Sequence, residues 1–271
     1  MSRMARKVGI LGLGRMGGCL ARGLLAGTAP PDILFTTSQR QKDSLDHPHF
    51  KATQVSSNLE LFKQSDVLLV AVKPQSVSAA LAGLKATPEP YAKVVISIAA
   101  GVTLQRLEAL LPASIALFRA MPNTPVVVQA GVTALSANAV ATEADGKLAE
   151  SLFLPLGKVV RVKEEQLNAV TGLSGCGPAY VFLILEALID AGIKVGLPRA
   201  TSALLAGQTL YGSAKMFLES QRHPAELRDE VTTPAGCTID GLLELEEGKL
   251  RGTLAKAVVQ ATLRAGELTE A

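Results

Sequence analysis

The sequence predicts an α/β domain built on a parallel sheet over residues 1–163, followed by an all-helical region over 164–271. Three observations predict it. Short, β-branched, two-sided apolar runs alternate with helical patterns through the first region, as βαβ units require. The first run leads straight into Gly12-Leu13-Gly14-Arg15-Met16-Gly17, which fits G-x-G-x-x-G. After Lys163 the strand pattern stops and only helical periodicity remains.

The elements follow in order. Strands are expected at residues 7–11, 33–37, 67–72, 94–98 and 115–120, each an apolar run that suits a strand buried on both faces. Ser57-Asn58-Leu59-Glu60 reads as a capping box opening one helix, and Thr103 as the cap of another. A strand at 126–135, a helix near 142–154 and a strand at 159–162 complete the first region. Beyond it, one helix is expected over about 178–195. Pro198 sits where a proline at the first helical position starts the next, through about residue 219. Two more are expected around 239–246 and 250–268. The stretch 180–189 is apolar nearly all round and must be buried on every face. The helical region cannot bury that much apolar surface alone, so a second copy of the chain is expected to cover part of it.

Composition narrows the function classes. Hydrophobic residues make up 48% of the chain and aromatics only 4%, so the core is aliphatic. The formal charge is +3, and no Lys/Arg run is interleaved with aromatics, so no nucleic-acid partner is expected. Cys19, Cys176 and Cys237 are odd in number and far apart. They give neither a disulfide framework nor metal-ligand spacing, which points to a reducing, cytoplasmic compartment and no metal. The N-terminal stretch lacks a signal-peptide pattern. The longest apolar run, 179–189, is interrupted by Glu186 and reads as too short for a bilayer, so no membrane partner is expected. His47, His49 and His223 have no metal spacing and read as surface or capping residues.

The chemistry concentrates in a few segments. In the glycine motif, Gly12 makes the tight turn, Gly14 lets a pyrophosphate approach the backbone, and Gly17 permits close helix–sheet packing. Leu11, Leu13, Arg15 and Met16 complete that dinucleotide-binding loop. The second strand ends Thr36-Thr37-Ser38-Gln39-Arg40, without the Asp or Glu that holds a ribose 2′-hydroxyl. Thr37, Ser38 and Arg40, with Lys42 nearby, suit a 2′-phosphate, so NADPH is expected over NADH; the alternative is a solvated basic turn. Ala71-Val72-Lys73-Pro74 ends a strand at the sheet edge where open α/β sheets bind ligands, although Lys73 also suits an ordinary loop. Bare backbone at Ala99, Ala100 and Gly101 suits a flat nicotinamide. Asn123 reads equally as a turn residue before Pro125. Small residues in Thr171–Gly175 and on to Tyr180 allow tight helix crossing.

The segment from Val231 to Gly241 stands out. Pro234 ends the preceding element, and Ala235 and Gly236 keep the backbone bare. N–H groups from Gly236 to Thr238 then open a helix and can face a small carboxylate, or serve only as a plain helix cap. Cys237 reads as a small residue rather than a nucleophile.

These segments, in order from Gly12 to Gly241, resemble the pyrroline-5-carboxylate reductase family, whose substrate loop usually reads V-x-[ST]-P-G-G-x-T. Ala235 stands in place of the first Gly of that pair. The resemblance also rests on Ala71-Val72-Lys73-Pro74, Ser97-Ile98-Ala99-Ala100-Gly101 and Arg119-Ala120-Met121-Pro122-Asn123-Thr124-Pro125. It implies a Rossmann domain over 1–163 and an all-helical dimerisation domain over 164–271. It implies NADPH-dependent reduction of 1-pyrroline-5-carboxylate to L-proline, the last step of proline synthesis, with dimers that assemble further into decamers. It places Asn58 near the adenine-side ribose and Ala71–Pro74 beside the nicotinamide ribose. Thr238 would position the imine nitrogen or carboxamide, Thr233 would flank the carboxylate, and Glu164 matches an acidic position near the substrate, with a solvated turn as the alternative. Gln221 stands where Glu is frequent, and Glu230 where Asn is frequent.

Two other readings share the cofactor half: a different NADPH-dependent imine or hydroxyacid reductase, and a non-enzymatic dinucleotide sensor. The β-hydroxyacid dehydrogenases need a catalytic Lys at the position of Val181 and an Asn at that of Leu185, and this chain has neither.

Overall fold

In the computed structural model, residues 7–26, 30–37, 52–89 and 91–270 are described. The chain divides into two compact units, Met1–Cys176 with Gln260–Ala271, and Gly177–Val259.

In the first unit, β1 (Lys7–Leu11) feeds α1 (Arg15–Leu25) and then β2 (Asp32–Thr36) and β3 (Ala52–Gln54). There follow α2 (Asn58–Gln64), β4 (Val67–Val70), a 3₁₀ turn at Pro74–Ser76, α3 (Val77–Ala80) and β5 (Val94–Ser97). α4 (Leu104–Leu110), β6 (Ala116–Pro122), β7 (Gly131–Ala137), α5 (Glu143–Phe153) and β8 (Gly157–Arg161) complete the α/β portion. The eight strands form one sheet in the order β3-β2-β1-β4-β5-β6-β7-β8. All neighbours are parallel except β6 and β7, which pair with Phe118 opposite Ala137 and Pro122 opposite Thr133. Every residue of β4 and β5 is buried, as central parallel strands with covered faces require. Two apolar clusters cover the faces, one around Val8, Leu20 and Phe153, the other around Phe62, Leu81 and Leu107. The chain order reverses between β1 and β4, which opens a crevice at their carboxyl ends.

Local chemistry sets the boundaries. Ser57 Oγ accepts the Glu60 N–H at 3.1 Å. The Glu60 carboxylate, however, accepts the N–H of Ser56 rather than that of Ser57, so the expected capping box is displaced by one residue. Thr103 Oγ1 accepts the Arg106 N–H at 3.1 Å and caps α4 as expected. α5 carries a complete box between Thr142 and Asp145. The expected strand at 126–135 divides in two. Thr124–Val128 is a 3₁₀ turn with Pro125 in its first turn, and Gln129 leaves it with φ 58° before β7 begins at Gly131. The unforeseen β3 is three residues long and partly exposed, with no apolar run to mark it.

Before the helical unit, the chain passes through a 3₁₀ turn at Glu164–Gln166, α6 (Leu167–Val170) and a π-helical turn at Thr171–Gly175. Thr171 and Ser174 donate their hydroxyls to the carbonyls of Leu167 and Val170, and the Cys176 N–H reaches back five residues to Thr171 O. The helices are α7 (Gly177–Lys194), α8 (Arg199–Ser220), α9 (Pro224–Val231), α10 (Cys237–Glu247) and α11 (Leu250–Glu270). Pro198 is the residue before α8 rather than its first helical residue. α9 was not expected; Pro224 opens it, and His223 Nδ1 accepts the Ala225 N–H at 3.2 Å, the capping role read for that histidine. A Cβ at Gly192 would lie 2.7 Å from Ser202 Oγ, so that glycine lets α7 and α8 meet closely.

The expectation that the apolar run is too short for a bilayer needs correction. The helical turns ahead of α7 extend it to Glu164–Lys194, 31 residues, long and apolar enough to cross a membrane by length and composition. The helices leave large apolar side chains exposed on the single chain, among them Phe182 and Leu183 of α7, Leu204 of α8 and Leu263 of α11.

Candidate active site

A cleft of about 890 Å³ opens in the first unit at the carboxyl ends of β1, β4 and β5. Its first wall is the loop after β1, contributing Leu11, Gly12, Gly14, Arg15 and Met16. Gly12 has φ +96°, and a Cβ there would lie 2.8 Å from Val72 Cγ1. A Cβ on Gly17 would lie 2.1 Å from the Gly12 carbonyl oxygen, so α1 crosses β1 at a distance that only glycine permits. Gly14 precedes α1 without a side-chain cap, which leaves the helix's first N–H groups to the cleft. Leu13 is the exception in this loop. Its side chain is buried in the core and does not line the cleft.

The second wall is the end of β2 and the start of α2. Thr36 and Thr37 line the cleft, with Asn58 beside them. Thr36 Oγ1 donates to Asn58 Oδ1 at 2.8 Å, and Asn58 Nδ2 donates to the Ala80 carbonyl at 3.0 Å. Asn58 therefore joins β2 to α3 with both ends of its amide. Ser38, Gln39, Arg40, Lys42, His47 and His49 lie outside the described residues.

The floor comes from the loops after β4 and β5. Ala71, Val72, Lys73 and Pro74 line it, and the Ala71 N–H donates to Leu11 O at 2.9 Å, which fixes this loop to the glycine loop. Ala99 and Ala100 lie across from them with Ile98. Ser97 Oγ accepts the Ala99 N–H at 3.3 Å. Six lining residues had no assigned role: Thr36, Ser76, Ala80, Ile98, Met121 and Pro122. Thr36, Ile98, Met121 and Pro122 lay within quoted motifs. Ser76 and Ala80 left no signal beyond their short distance after Pro74. Met121 has a structural partner in Gly175, where a Cβ would lie 2.7 Å from the Met121 Cε; the bare π turn packs against this cleft residue. Asn123 is a turn residue: its Oδ1 accepts the Val132 N–H at 2.9 Å and does not line the cleft.

Glu164 is partly exposed but not isolated. Its Oε1 accepts the Leu104 N–H at 2.7 Å and Arg119 Nη1 at 2.8 Å. The Arg119 side chain is only 8% exposed.

The remaining expected residues stand in the second unit. Gly236 precedes α10, with Cys237 and Thr238 as its first two residues. The Gly236 N–H, expected to face the carboxylate, instead donates to Thr233 O at 3.0 Å. That turn hands the role of first open donor to Cys237 and Thr238, whose N–H groups head the helix. Ala235 takes φ 56°, the left-handed conformation that favours glycine. Glu230 pairs with Arg222 at 2.7 Å, and that guanidinium holds its carboxyl below the usual range.

A family model described as pyrroline-5-carboxylate reductase dimerisation matches residues 164–268. Another, described as NADP oxidoreductase, coenzyme F420-dependent, matches residues 7–101. A pyrroline-5-carboxylate reductase of Arabidopsis thaliana is 41% identical over 97% of this chain and 96% of its own length. The solved structure of a pyrroline-5-carboxylate reductase from Coxiella burnetii superposes with a TM-score of 0.90 at 36% identity, covering 98% of this chain and 99% of that one. The Plasmodium falciparum pyrroline carboxylate reductase, solved with NADP bound, gives 0.85 at 32% identity and 99% coverage of both chains. Family, cofactor class and helical self-association thus agree with the cleft and the exposed helix faces. The chain belongs to the pyrroline-5-carboxylate reductase family and is an NADPH-using oxidoreductase that reduces 1-pyrroline-5-carboxylate to L-proline.

Proposed function

We propose that NADPH lies in the cleft of the first unit and that the N-terminus of α10 receives the ring carboxylate of the substrate. The observation that carries the cofactor reading is the bare loop after β1, where Gly12 and Gly17 leave no room for side chains at the chain reversal. The residues suit the dinucleotide. Open N–H groups at the head of α1 suit a pyrophosphate, and β2 ends at Thr36, followed by Thr37, with no carboxylate at either position to repel a 2′-phosphate. Ser38 and Arg40 are assigned to that phosphate from the sequence. Leu11, Leu13, Arg15 and Met16 shape the phosphate loop, Leu13 by its backbone alone. Asn58 borders the adenine-side ribose. Ala71–Pro74 lie along the nicotinamide ribose, and Ala99 and Ala100 present flat backbone to the nicotinamide.

When bound, NADPH supplies the hydride for the C=N carbon. The chain's part is to hold the ring, orient it and exclude water. Cys237 and Thr238 offer backbone N–H groups to the carboxylate, reinforced by the helix dipole. Gly236 keeps that approach bare, and Thr233 flanks it. Thr238 Oγ1 positions the imine nitrogen or the carboxamide. A threonine hydroxyl is too weak an acid to serve as proton donor, so its role is orientation. Glu164 is assigned to the substrate side from the sequence alone.

The functional domains are assigned as 1–163 for the cofactor and 164–271 for substrate and dimerisation. Assembly of dimers into a decamer and a cytoplasmic location extend the same reading, the latter supported by three free cysteines. The test is NADPH oxidation, followed by absorbance, with 1-pyrroline-5-carboxylate as substrate and NADH in parallel. Turnover with NADPH at the lower KM is the expected result. Turnover with a hydroxyacid and NADP⁺ but none with the cyclic imine would overturn it.

A further inference from the structure

Resting on the cofactor reading above, we infer that Glu164 and Arg119 form a positioning clamp that holds the nicotinamide-facing segment 97–104 in place, and that Glu164 acts through this segment rather than by touching substrate.

The geometry is specific. Segment 97–104 joins β5 to α4, and its Ile98, Ala99 and Ala100 line the cleft. It is fixed at its start: the Ile98 N–H donates to Val70 O at 3.0 Å, and the Ala99 N–H donates to Ser97 Oγ. In its middle, Gly101 takes φ +75°, and a Cβ there would lie 2.8 Å from Leu268 O, so the C-terminal end of α11 packs directly on it. At its end, the Leu104 N–H is the first donor of α4 and has no partner within that helix. Glu164 Oε1 accepts it at 2.7 Å. The same oxygen accepts from Arg119 Nη1, and Arg119 stands on β6 directly opposite Ser97 of β5.

Arg119 thus makes its side-chain contact on the strand that also supplies Met121 to the cleft, two residues on and on the same face of the sheet. One carboxylate oxygen therefore ties the head of α4 to β6. With it removed, a nearly buried guanidinium loses its partner and the head of α4 loses an acceptor. The pinned start of the segment stays, and Val102 and Leu104 keep their buried places in the core, but the head of α4 loses its tie to β6. Ala99 packs in the apolar core and Ala100 is exposed, and neither methyl group can form the hydrogen bonds that Glu164 supplies. A nicotinamide lying on this segment then loses its alignment, while the adenine half, held at Thr36, Thr37 and Asn58, is untouched.

The experiment compares E164A and E164Q with the unaltered enzyme. In E164A, kcat is expected to fall by about ten- to a hundredfold, the scale of a misplaced reacting group. NADPH affinity should fall, while affinity for 2′-phospho-ADP-ribose, which lacks the nicotinamide, should hold within about twofold. KM for the imine should also stay within about twofold. E164Q keeps the volume and an acceptor oxygen and should recover most of the loss, and it supplies the measurement if E164A fails to fold. Backbone amide exchange across 97–104, read without cofactor, should speed up roughly ten- to a hundredfold in E164A, the factor for losing a hydrogen bond to a charged group. That measurement is independent of what the cleft binds. Unchanged exchange overturns the clamp. A rise in imine KM alone overturns it in favour of substrate contact, and parallel loss of NADPH and fragment affinity overturns it in favour of a general structural role. Failure of the cofactor reading shows separately, as an unaltered enzyme that does not bind 2′-phospho-ADP-ribose.

Discussion

Ala235 holds a left-handed backbone at φ 56°, where the family's loop has glycine. For an L-residue with a Cβ that conformation costs about 1–2 kcal/mol, and a glycine recovers it at the expense of some unfolded-state freedom. Ala235→Gly should therefore stabilise the chain by about 0.5–1 kcal/mol, read as a higher urea midpoint at unchanged slope. A loss of stability would mean that the strain is compensated by packing. The neighbouring residues divide by how they would meet the substrate. Thr238→Ala removes the hydroxyl proposed to act at the reacting centre and should lower kcat/KM by roughly one to three decades. Cys237→Ala keeps the backbone N–H and should be nearly silent. Gly236→Val crowds the turn itself: a Cβ there would lie 2.4 Å from Thr233 Oγ1, so the Thr233 hydroxyl that flanks the proposed carboxylate site must move. It should raise imine KM more than Thr238→Ala does, with NADPH affinity preserved. An inactive Cys237→Ala beside a fully active Thr238→Ala would replace carboxylate capping with thiol chemistry.

At the scale of elements, the β1–α1 crossing depends on one absent atom. A Cβ on Gly17 would press on the Gly12 carbonyl oxygen at 2.1 Å, and backbone cannot turn aside as a flexible side chain can. Gly17→Ala should cost about 1–3 kcal/mol of stability, the range for an overpacked core, and weaken NADPH binding at the same time. Thermal melts with and without NADPH check both. This crossing was legible because glycine spacing states a steric requirement directly. The buried parallel strands were legible for a related reason: β1, β4 and β5 are continuous apolar runs. Elements with a weaker signature were not. β3 is an edge strand of three residues, and α9 is polar along most of its length, so neither shows a period. Val126–Val128 has strand composition, but Pro125 sets the first turn of a 3₁₀ helix instead. The cleft followed the same division. The glycine loop and Ala71–Pro74 were readable as motifs, whereas Ser76 and Ala80 reach it only because the chain turns after Pro74. The Glu164–Arg119 pair links positions 45 residues apart, and no local pattern encodes such a contact.

At the scale of the whole molecule, the exposed apolar surface needs an occupant. It is spread over α7, α8 and α11 rather than confined to one helix, with Phe182 63%, Leu204 71% and Leu263 56% exposed. A bilayer would suit only the stretch Glu164–Lys194, because α8 and α11 carry Lys215, Glu219, Arg251, Lys256 and Arg264 among their apolar residues. A second copy of the chain can cover all three, and the dimerisation family model spans these helices. If this surface is closed by self-association, folding and assembly are linked. Each tenfold dilution then removes about 1.4 kcal/mol of stability per mole of dimer. The melting temperature should accordingly fall as protein is diluted from the micromolar into the nanomolar range. Leu204→Glu, which places a charge in the shared surface without touching the cofactor cleft, should shift the mass seen by light scattering toward the monomer. It should lower activity most at low protein concentration, and raising the concentration should restore part of it. A melting temperature independent of concentration, from an active species of monomer mass, would show that these helices need no second copy. Flotation of the purified chain with lipid vesicles would assign the apolar surface to a membrane.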